Sequence, residues 1–173
     1  MSPTVRLAPA TEANVGLILW FIQQLAIYEK ATPDQVPATE ALLRENLFGA
    51  HPYAQVIIAY VTPEGEGEGE ERPAGFAMYF YSFSSWMGRP GLYLEDLFVC
   101  PEFRSLGIGK RLLVQLAQVA KDRQCGRFEW VVLDWNEPSI QFYLGLGAKQ
   151  MKEWIIHRVS GPALDALAAT DYC

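Results

Sequence analysis

Two adjacent acids and a nearby pair of glycines stand out in the segment LYLEDLFVCPEFRSLGIGKRLL, residues 92–113. Glu95 and Asp96 are carboxylic acids, a residue type that can bind a cation and accept its proton. Gly107 and Gly109 lack a Cβ atom, so their main chain can approach a bound ligand closely. Together, these residue types predict an enzyme that holds a phosphorylated cofactor and performs proton chemistry beside it.

The elements that must position these residues follow from the same segment. It reads as a buried strand, a short turn, a glycine-bearing loop and the start of a helix. A helix N-terminus carries unpaired backbone N–H groups and a partial positive charge, so a loop that opens a helix suits a pyrophosphate. Arg104 and Lys110 add positive charge on either side of this loop.

Two common phosphate-binding loops do not fit the glycine segment. A Walker-type loop needs Ser or Thr after its Gly-Lys pair, but Arg111 follows Gly109-Lys110. A dinucleotide fingerprint needs a third glycine three residues after the second, and Leu112 occupies that position.

The pattern that remains is Arg104-x-x-Gly107-x-Gly109. It resembles the acetyl-CoA loop of the GNAT acetyltransferases, whose pattern is Gln/Arg-x-x-Gly-x-Gly/Ala. On this pattern alone, a glycine-rich turn with solvated basic residues stays open as the alternative.

Length and composition predict a single domain over residues 1–173, because half of the residues are hydrophobic. No apolar run reaches the roughly 18–20 residues that span a bilayer. The first residues, MSPTVRLAPATEAN, lack the apolar centre of a signal peptide. We therefore expect a cytoplasmic protein with no membrane partner.

The net charge of −6 and the pI of about 4.9 describe an acidic chain with no cluster of Lys and Arg. Nucleic-acid binding normally needs a basic face, so we expect no nucleic-acid partner. The long-range field of an acidic protein instead favours small cationic partners.

Cysteine and histidine usage predicts no metal site. Cys100, Cys125 and Cys173 show no metal-ligand spacing and no even framework, and we interpret them as reduced thiols. His51 and His157 lie far apart in the sequence.

Hydrophobic periodicity and turn residues predict the remaining elements. Strands are expected at 4–7, 53–61, 74–83, 92–99, 127–133 and 151–159, and helices at 11–31, 39–48, 107–123, 137–146 and after 161. The acidic segment TPEGEGEGEERP, residues 62–73, predicts an exposed hairpin loop. The order βααβββαβαβ predicts an α/β fold (an α+β mixed sheet) and resembles the GNAT fold.

A more specific resemblance rests on YLEDLFV at residues 93–99 and VLDWNEPSIQFYLGLGA at residues 132–148. With the glycine loop, these segments resemble the diamine acetyltransferase branch of the GNAT family, which includes polyamine- and thialysine-acetylating enzymes. The resemblance begins in FIQQLAIYEK, residues 21–30, and persists to about Trp154. It implies the GNAT acyl-CoA N-acyltransferase fold, acetyl-CoA as co-substrate without a metal, a small amine as acceptor, and a homodimer.

The same resemblance assigns residues to the cofactor. These are the acetyl-pantetheine residues Leu97, Phe98 and Val99; the pyrophosphate-loop residues Arg104, Ser105, Leu106, Gly107, Ile108, Gly109 and Lys110; and Asn136, Glu137, Pro138 and Ser139 on the far side of the cofactor.

It also assigns catalytic and substrate roles. Tyr143 corresponds to the proton donor for the departing CoA thiolate, and Glu95 to the acid that meets the acceptor amine. The substrate-side residues are Tyr28, Glu29, Trp86, Glu95, Glu129, Trp130, Val131 and Glu153. On spacing alone, Tyr143 could be a packed aromatic, and Glu95 could be a strand-end acid paired with Arg104.

The chemistry is consistent with these roles. A primary amine has a pKa near ~10.4, so at neutral pH a carboxylate must bind the ammonium and accept its proton, directly or through water. A thiol pKa near ~8.5 means that the leaving thiolate is stabilised by protonation. We expect direct attack of the amine on the thioester.

Two departures from the family pattern bear on function. Ser105 stands where the family usually has glycine, and we expect cofactor binding to survive. Ser84-Ser85-Trp86 lacks the acid that precedes this tryptophan in the polyamine enzyme, which favours a shorter, lysine-like amine over a long polyamine. A protein lysine or N-terminus as acceptor, and a non-catalytic acyl-CoA-binding module, remain the alternatives.

Overall fold

The computed structural model describes residues 3–63 and 70–171 of the chain. The chain divides into two compact units, Met1–Val131 and Val132–Cys173. Most of the predicted acidic hairpin loop, residues 64–69, lies outside the described residues, as does Cys173. The expectations for these two places therefore stay predictions.

The first unit contains one mixed sheet, which confirms the predicted fold class. Within the described residues its strands, in spatial order, are β1 (Thr4–Pro9), β2 (Gln55–Thr62), β3 (Arg72–Ser84), β4 (Arg89–Val99) and β5 (Phe128–Glu129). The first four strands pair in antiparallel fashion, and β5 pairs with β4 in parallel.

Helices α1 (Val15–Tyr28) and α2 (Glu40–Phe48) belong to the apolar core on one face of this sheet. Thr39 caps α2 as the sequence predicts, because its hydroxyl accepts the N–H of Leu42 at 3.2 Å. The core on this face consists of Ile18, Phe21, Leu47, Val56, Ile58, Phe76, Met78, Phe98 and Cys100.

Helix α3 (Ile108–Asp122) packs against β2, β3 and β4. In these strands, the residues that alternate with those facing α1 point toward the side of the sheet where α3 packs. Its own buried residues are Ile108, Leu112, Leu113, Leu116 and Ala120. This spacing is typical of an amphipathic helix, so the prediction of a helix directly after the glycine loop is confirmed.

The second unit contains α4 (Glu137–Gly145) and α5 (Pro162–Ala168). Asn136 begins α4 as its N-cap, with its side-chain oxygen accepting the N–H of Ser139 at 3.4 Å. Gly147 has φ +88°, which fits the turn predicted after this helix.

Two strand predictions near the C-terminus are wrong in the described residues. The strand expected at 127–133 is confined to Phe128–Glu129, because its parallel pairing with β4 covers only two positions. No strand forms at 151–159, where Trp154 donates a turn hydrogen bond to the Met151 carbonyl at 3.1 Å. A strand needs a hydrogen-bonded neighbour, and these residues have none in the sheet.

Candidate active site

The centre of β4 carries a β-bulge at one of the two acids. On β4, Leu94 lies opposite Tyr79 of β3. The next pair is Asp96 opposite Met78, so Glu95 has no partner residue in the ladder. A bulge of this kind bends the strand and redirects the extra side chain. The carboxylate of Glu95 is exposed as a result.

The bulge also gives the two adjacent acids different surroundings. Asp96 and Phe98 share the α1 face with Met78, which belongs to the core there. Burial raises the pKa of Asp96 to about 7, and the negative charges of Glu95 and Glu29 act in the same direction. Asp96 is absent from the predicted site residues, although the broken apolar alternation at Glu95–Asp96 is a sequence signal for such a bulge.

One edge of β4 has no strand partner along the residues expected to meet the acetyl-pantetheine arm. The parallel pairing of β4 with β5 ends at Tyr93 and Glu129. Within residues 3–63 and 70–171, no strand continues this ladder beside Leu97, Phe98 and Val99. Backbone N–H and C=O groups at an unpaired strand edge can bond an extended ligand.

The glycine loop forms the predicted helix N-terminus. Gly107 has φ +74° and precedes α3, and a Cβ built on it would have no heavy atom within 4 Å. No described side chain caps this end of α3. The first N–H groups of the helix thus lack a side-chain cap, and unpaired N–H groups at a helix N-terminus suit a pyrophosphate.

Ser105 adopts φ +68°, the left-handed conformation that favours glycine. Glycine would adopt this conformation most easily, and serine adopts it here. The side chain is exposed and adds a hydroxyl to the loop.

The side chain of Arg104 lies across aromatic rings. Its Nε donates to the carbonyl of Val99 at 3.1 Å. The guanidinium carbon lies 5.0 Å from the ring centre of Tyr28 and 5.9 Å from that of Phe98. Among the ion pairs of the described residues, none joins Arg104 to Glu95, so the alternative that treats Glu95 as its partner lacks support.

The predicted substrate-side residues of the first unit lie in three places. Tyr28 ends α1, and partial burial raises the pKa of the following Glu29 above its ordinary value. Trp86, at the tip of the β3–β4 hairpin, is 93% exposed. Glu129 forms an ion pair with Arg127 at 2.8 Å, so its carboxylate already has a cationic partner.

The other two substrate-side residues of this unit follow directly on β5. The ring of Trp130 lies 5.0 Å from that of Phe128, and Val131 is exposed.

The remaining predicted site residues belong to the second unit. Asn136 is buried, and Glu137, Pro138 and Ser139 form the first turn of α4. Tyr143 lies in the same helix and is half-buried, with its ring 5.4 Å from that of Phe142. Glu153 is exposed in the segment after α4.

Within residues 3–63 and 70–171, no three His, Cys, Asp or Glu side chains come together in a way that would hold a metal ion. Burial raises the pKa of the Cys100 thiol to about 11, so this cysteine is a poor nucleophile. No described helix is long and apolar enough to cross a bilayer.

Comparison with known proteins decides the family. Residues 23–148 match the acetyltransferase (GNAT) family. The chain belongs to the GNAT acetyltransferases. It is therefore an acetyltransferase, and the family uses acetyl-CoA as the acetyl donor. The matched range includes the bulged strand, the glycine loop and α4.

Two curated relatives cover nearly the whole of this GNAT acetyltransferase. It is 38% identical over 169 residues to thialysine N-epsilon-acetyltransferase of Sus scrofa, covering 95% of this chain and 98% of the relative. It is 31% identical to L-ornithine N5-acetyltransferase NATA1 of Arabidopsis thaliana, covering 94% of this chain and 87% of the relative.

A solved structure supports the same fold. An integron cassette protein from the mobile metagenome of V. cholerae aligns with a TM-score of 0.74 and 26% identity, over 98% of this chain and 99% of that one. The predicted GNAT fold is thereby confirmed.

Proposed function

We propose that this enzyme transfers the acetyl group of acetyl-CoA to a primary amine of a small cationic substrate, a lysine-like amino acid such as thialysine or a short diamine. The relatives at 38% and 31% identity are named for the acetylation of thialysine and of ornithine. Both named substrates are small amino acids with a side-chain amine.

The observation that carries the proposal is that the part of β4 without a strand partner is followed closely in the sequence by the N-terminus of α3, which has no side-chain cap. Both belong to the first unit, and the turn Pro101–Phe103 is the only helical element between them in the sequence. An unpaired strand edge suits the amide groups of a pantetheine arm, and a helix N-terminus suits a pyrophosphate. Leu97, Val99 and Gly107 are the residues at the core of this arrangement.

The acceptor amine is proposed to meet Glu95. The bulge exposes its carboxylate on the strand that would hold the acetyl-pantetheine arm. A carboxylate there can bind the substrate ammonium and accept its proton, directly or through water, before the nitrogen attacks the thioester. The C–N bond forms as the C–S bond breaks, and the CoA thiolate leaves. No covalent acyl-enzyme is needed.

Residues of the second unit are proposed to complete the reaction. Tyr143 would give the phenolic proton to the departing thiolate and regain one from solvent. Asn136 and the first turn of α4 would contact the far side of the cofactor.

The acceptor is proposed to be short because Ser84-Ser85 offers no carboxylate before Trp86. A long polyamine needs an acid to hold its distal ammonium. Ser84 is buried, and Ser85 and Trp86 are exposed at the hairpin tip.

We further propose one functional domain that includes both units, a homodimer and a cytoplasmic location. The family match at residues 23–148 crosses the boundary between the two units, which supports the first point. Exposed apolar side chains at the β3–β4 hairpin provide surface for a second copy.

The deciding experiment measures acetyl-CoA-dependent thiol release with thialysine, lysine, ornithine, putrescine and spermidine side by side. Selective release with the amino acids would support the proposal. Preference for spermidine would mean that another acid, such as Glu29 or Glu153, holds the distal ammonium. No release with any amine, although acetyl-CoA binds, would favour a protein acceptor or a non-catalytic module.

A further inference from the structure

Arg104 occupies the basic position of the glycine loop, but its side chain contacts other parts of the protein. Its guanidinium lies within 6 Å of two aromatic ring centres, those of Tyr28 and Phe98. Its Nε–H is directed at the carbonyl of Val99, 3.1 Å away. A planar guanidinium that stacks on rings and bonds a carbonyl has little freedom left to follow a phosphate.

These contacts join two predicted parts of the site. Tyr28 is the last residue of α1, and Glu29 and Lys30 complete its C-terminal turn, with Lys30 at φ +66°. Val99 is the last residue of β4. Arg104 thus connects the helix end expected to meet the amine with the strand expected to meet the acetyl group.

We propose that Arg104 is a positioning residue for the acceptor amine, holding the Tyr28–Glu29 end of α1 against the end of β4. This inference rests on the proposed function and adds a role that the loop pattern does not give to this residue. A cation–π contact is weakened in water, so the half-buried ring of Tyr28 strengthens it. Loss of the guanidinium would let the helix end move away from the acetyl-binding strand.

The kinetic test compares Arg104→Met and Arg104→Lys with wild type, using the best amine of the panel. For Arg104→Met we expect KM for the amine to rise about tenfold, while KM for acetyl-CoA changes less than about twofold. Arg104→Lys keeps the charge but loses the planar fork, so its amine KM should lie in between. Arg44→Lys, whose arginine forms exposed ion pairs with Glu12 and Glu40, is the matched control and should behave as wild type.

A second measurement does not depend on activity. The N–H groups of Glu29, Lys30 and Ala31 donate to carbonyls of the last turns of α1. In Arg104→Met these amides should exchange with deuterium about fivefold faster or more, since local opening sets their protection. The amides in the middle of α3 should be unaffected.

The outcomes separate this proposal from the proposed function. A rise in KM for acetyl-CoA alone would make Arg104 a phosphate ligand and overturn the inference, as would unchanged amide exchange in Arg104→Met. If wild-type enzyme acetylates no amine, the proposed function itself fails and the acceptor-side role fails with it. Faster exchange in that case would show only that Arg104 stabilises the C-terminal end of α1.

Discussion

Glu95 and Asp96 show how much a carboxylate depends on its place in a strand. Glu95 is exposed at the bulge, whereas Asp96 is half-buried on the α1 face. Burial raises the pKa of Asp96 to about 7, so near neutral pH this acid holds its proton about half of the time. Glu95 is thus the acid of the pair whose exposure suits binding of an ammonium.

Replacement of Glu95 by Gln should impair use of the amine. We expect kcat/KM for the amine to fall about 100-fold, because a positioned acid–base group contributes roughly 10²–10⁴-fold. The loss should be largest at lower pH, where more of the amine is protonated. Initial rates between pH 6 and 9 measure this, with the exposed Glu45→Gln on α2 as the matched control. A small, pH-independent effect would exclude Glu95 from the mechanism.

Asp96→Asn should change the pH dependence of stability. The folded state holds this proton up to about pH 7, whereas an aspartate ordinarily releases it near 3.8. The folded state therefore loses stability as pH rises through this range. Each pKa unit corresponds to roughly 1.4 kcal/mol, so at pH 8 the variant should be more stable than wild type by on the order of 2–4 kcal/mol. Urea unfolding at pH 4 and pH 8 measures this. If the variant and the wild type differed in unfolding free energy by the same amount at pH 4 and pH 8, this prediction would be contradicted.

Tyr143→Phe should separate chemistry from binding. If the phenol protonates the thiolate, kcat should fall about 100-fold while the Kd for acetyl-CoA changes less than about twofold. Steady-state kinetics and calorimetric titration with acetyl-CoA measure the two quantities. Tyr53→Phe removes a hydroxyl from an exposed tyrosine and serves as control. Near-normal turnover would leave Tyr143 as a packed aromatic of α4.

At the residue scale, the sequence could predict the types of group but not their environments. The loop glycine pattern and its helix were predictable because φ > 0 and a helix N-terminus have local sequence signals. The contacts of Arg104 were not, because Tyr28 is far away along the chain and the pattern suggested a phosphate ligand. The raised pKa of Asp96 depends on tertiary burial in the same way.

At the scale of elements, the site depends on how closely β3 and β4 approach at their ends. Gly75 lies opposite Val99, and a Cβ built on Gly75 would lie 2.5 Å from the carbonyl oxygen of Phe98. This contact is with backbone, which cannot move away without disturbing the ladder. The glycine thus fixes the strand end that carries the proposed acetyl-binding residues.

Gly75→Ala should therefore destabilise the fold. We expect the free energy of unfolding to fall by about 1–3 kcal/mol, the usual cost of forcing extra volume into a packed site. Gly145→Ala is the matched control, because a Cβ there meets no heavy atom within 4 Å and the residue lies in α4. Thermal and urea unfolding compare the two. A neutral Gly75→Ala would mean that the strand ends separate easily.

Predictability also varied among the elements. The antiparallel strands and α1 to α3 were predicted because their apolar periodicity is long and their caps are explicit, as at Thr39. The strand at 151–159 was predicted from a run of apolar residues that includes Trp154, Ile155 and Ile156, which are exposed. A short apolar run specifies a strand only when a partner strand pairs with it.

At the scale of the whole molecule, the proposed homodimer has a direct test. Phe83, Trp86 and Met87 are 65%, 93% and 51% exposed at one hairpin, an unusual group for a surface that meets only water. Sedimentation at micromolar concentration should give about twice the 19.4 kDa of the chain. A mass of one chain at all concentrations would contradict the dimer.

The bulge at Glu95 has a consequence for how this strand can change in evolution. Glu95 has no partner in the ladder, so its removal would leave Leu94 opposite Tyr79 and Asp96 opposite Met78. Phe98 would keep its place in the core, and only the exposed acid would be lost. Deletion of a paired residue of β4 would instead exchange the faces of the residues beyond it. The acid can therefore be gained or lost at this position without a change in the register of the strand.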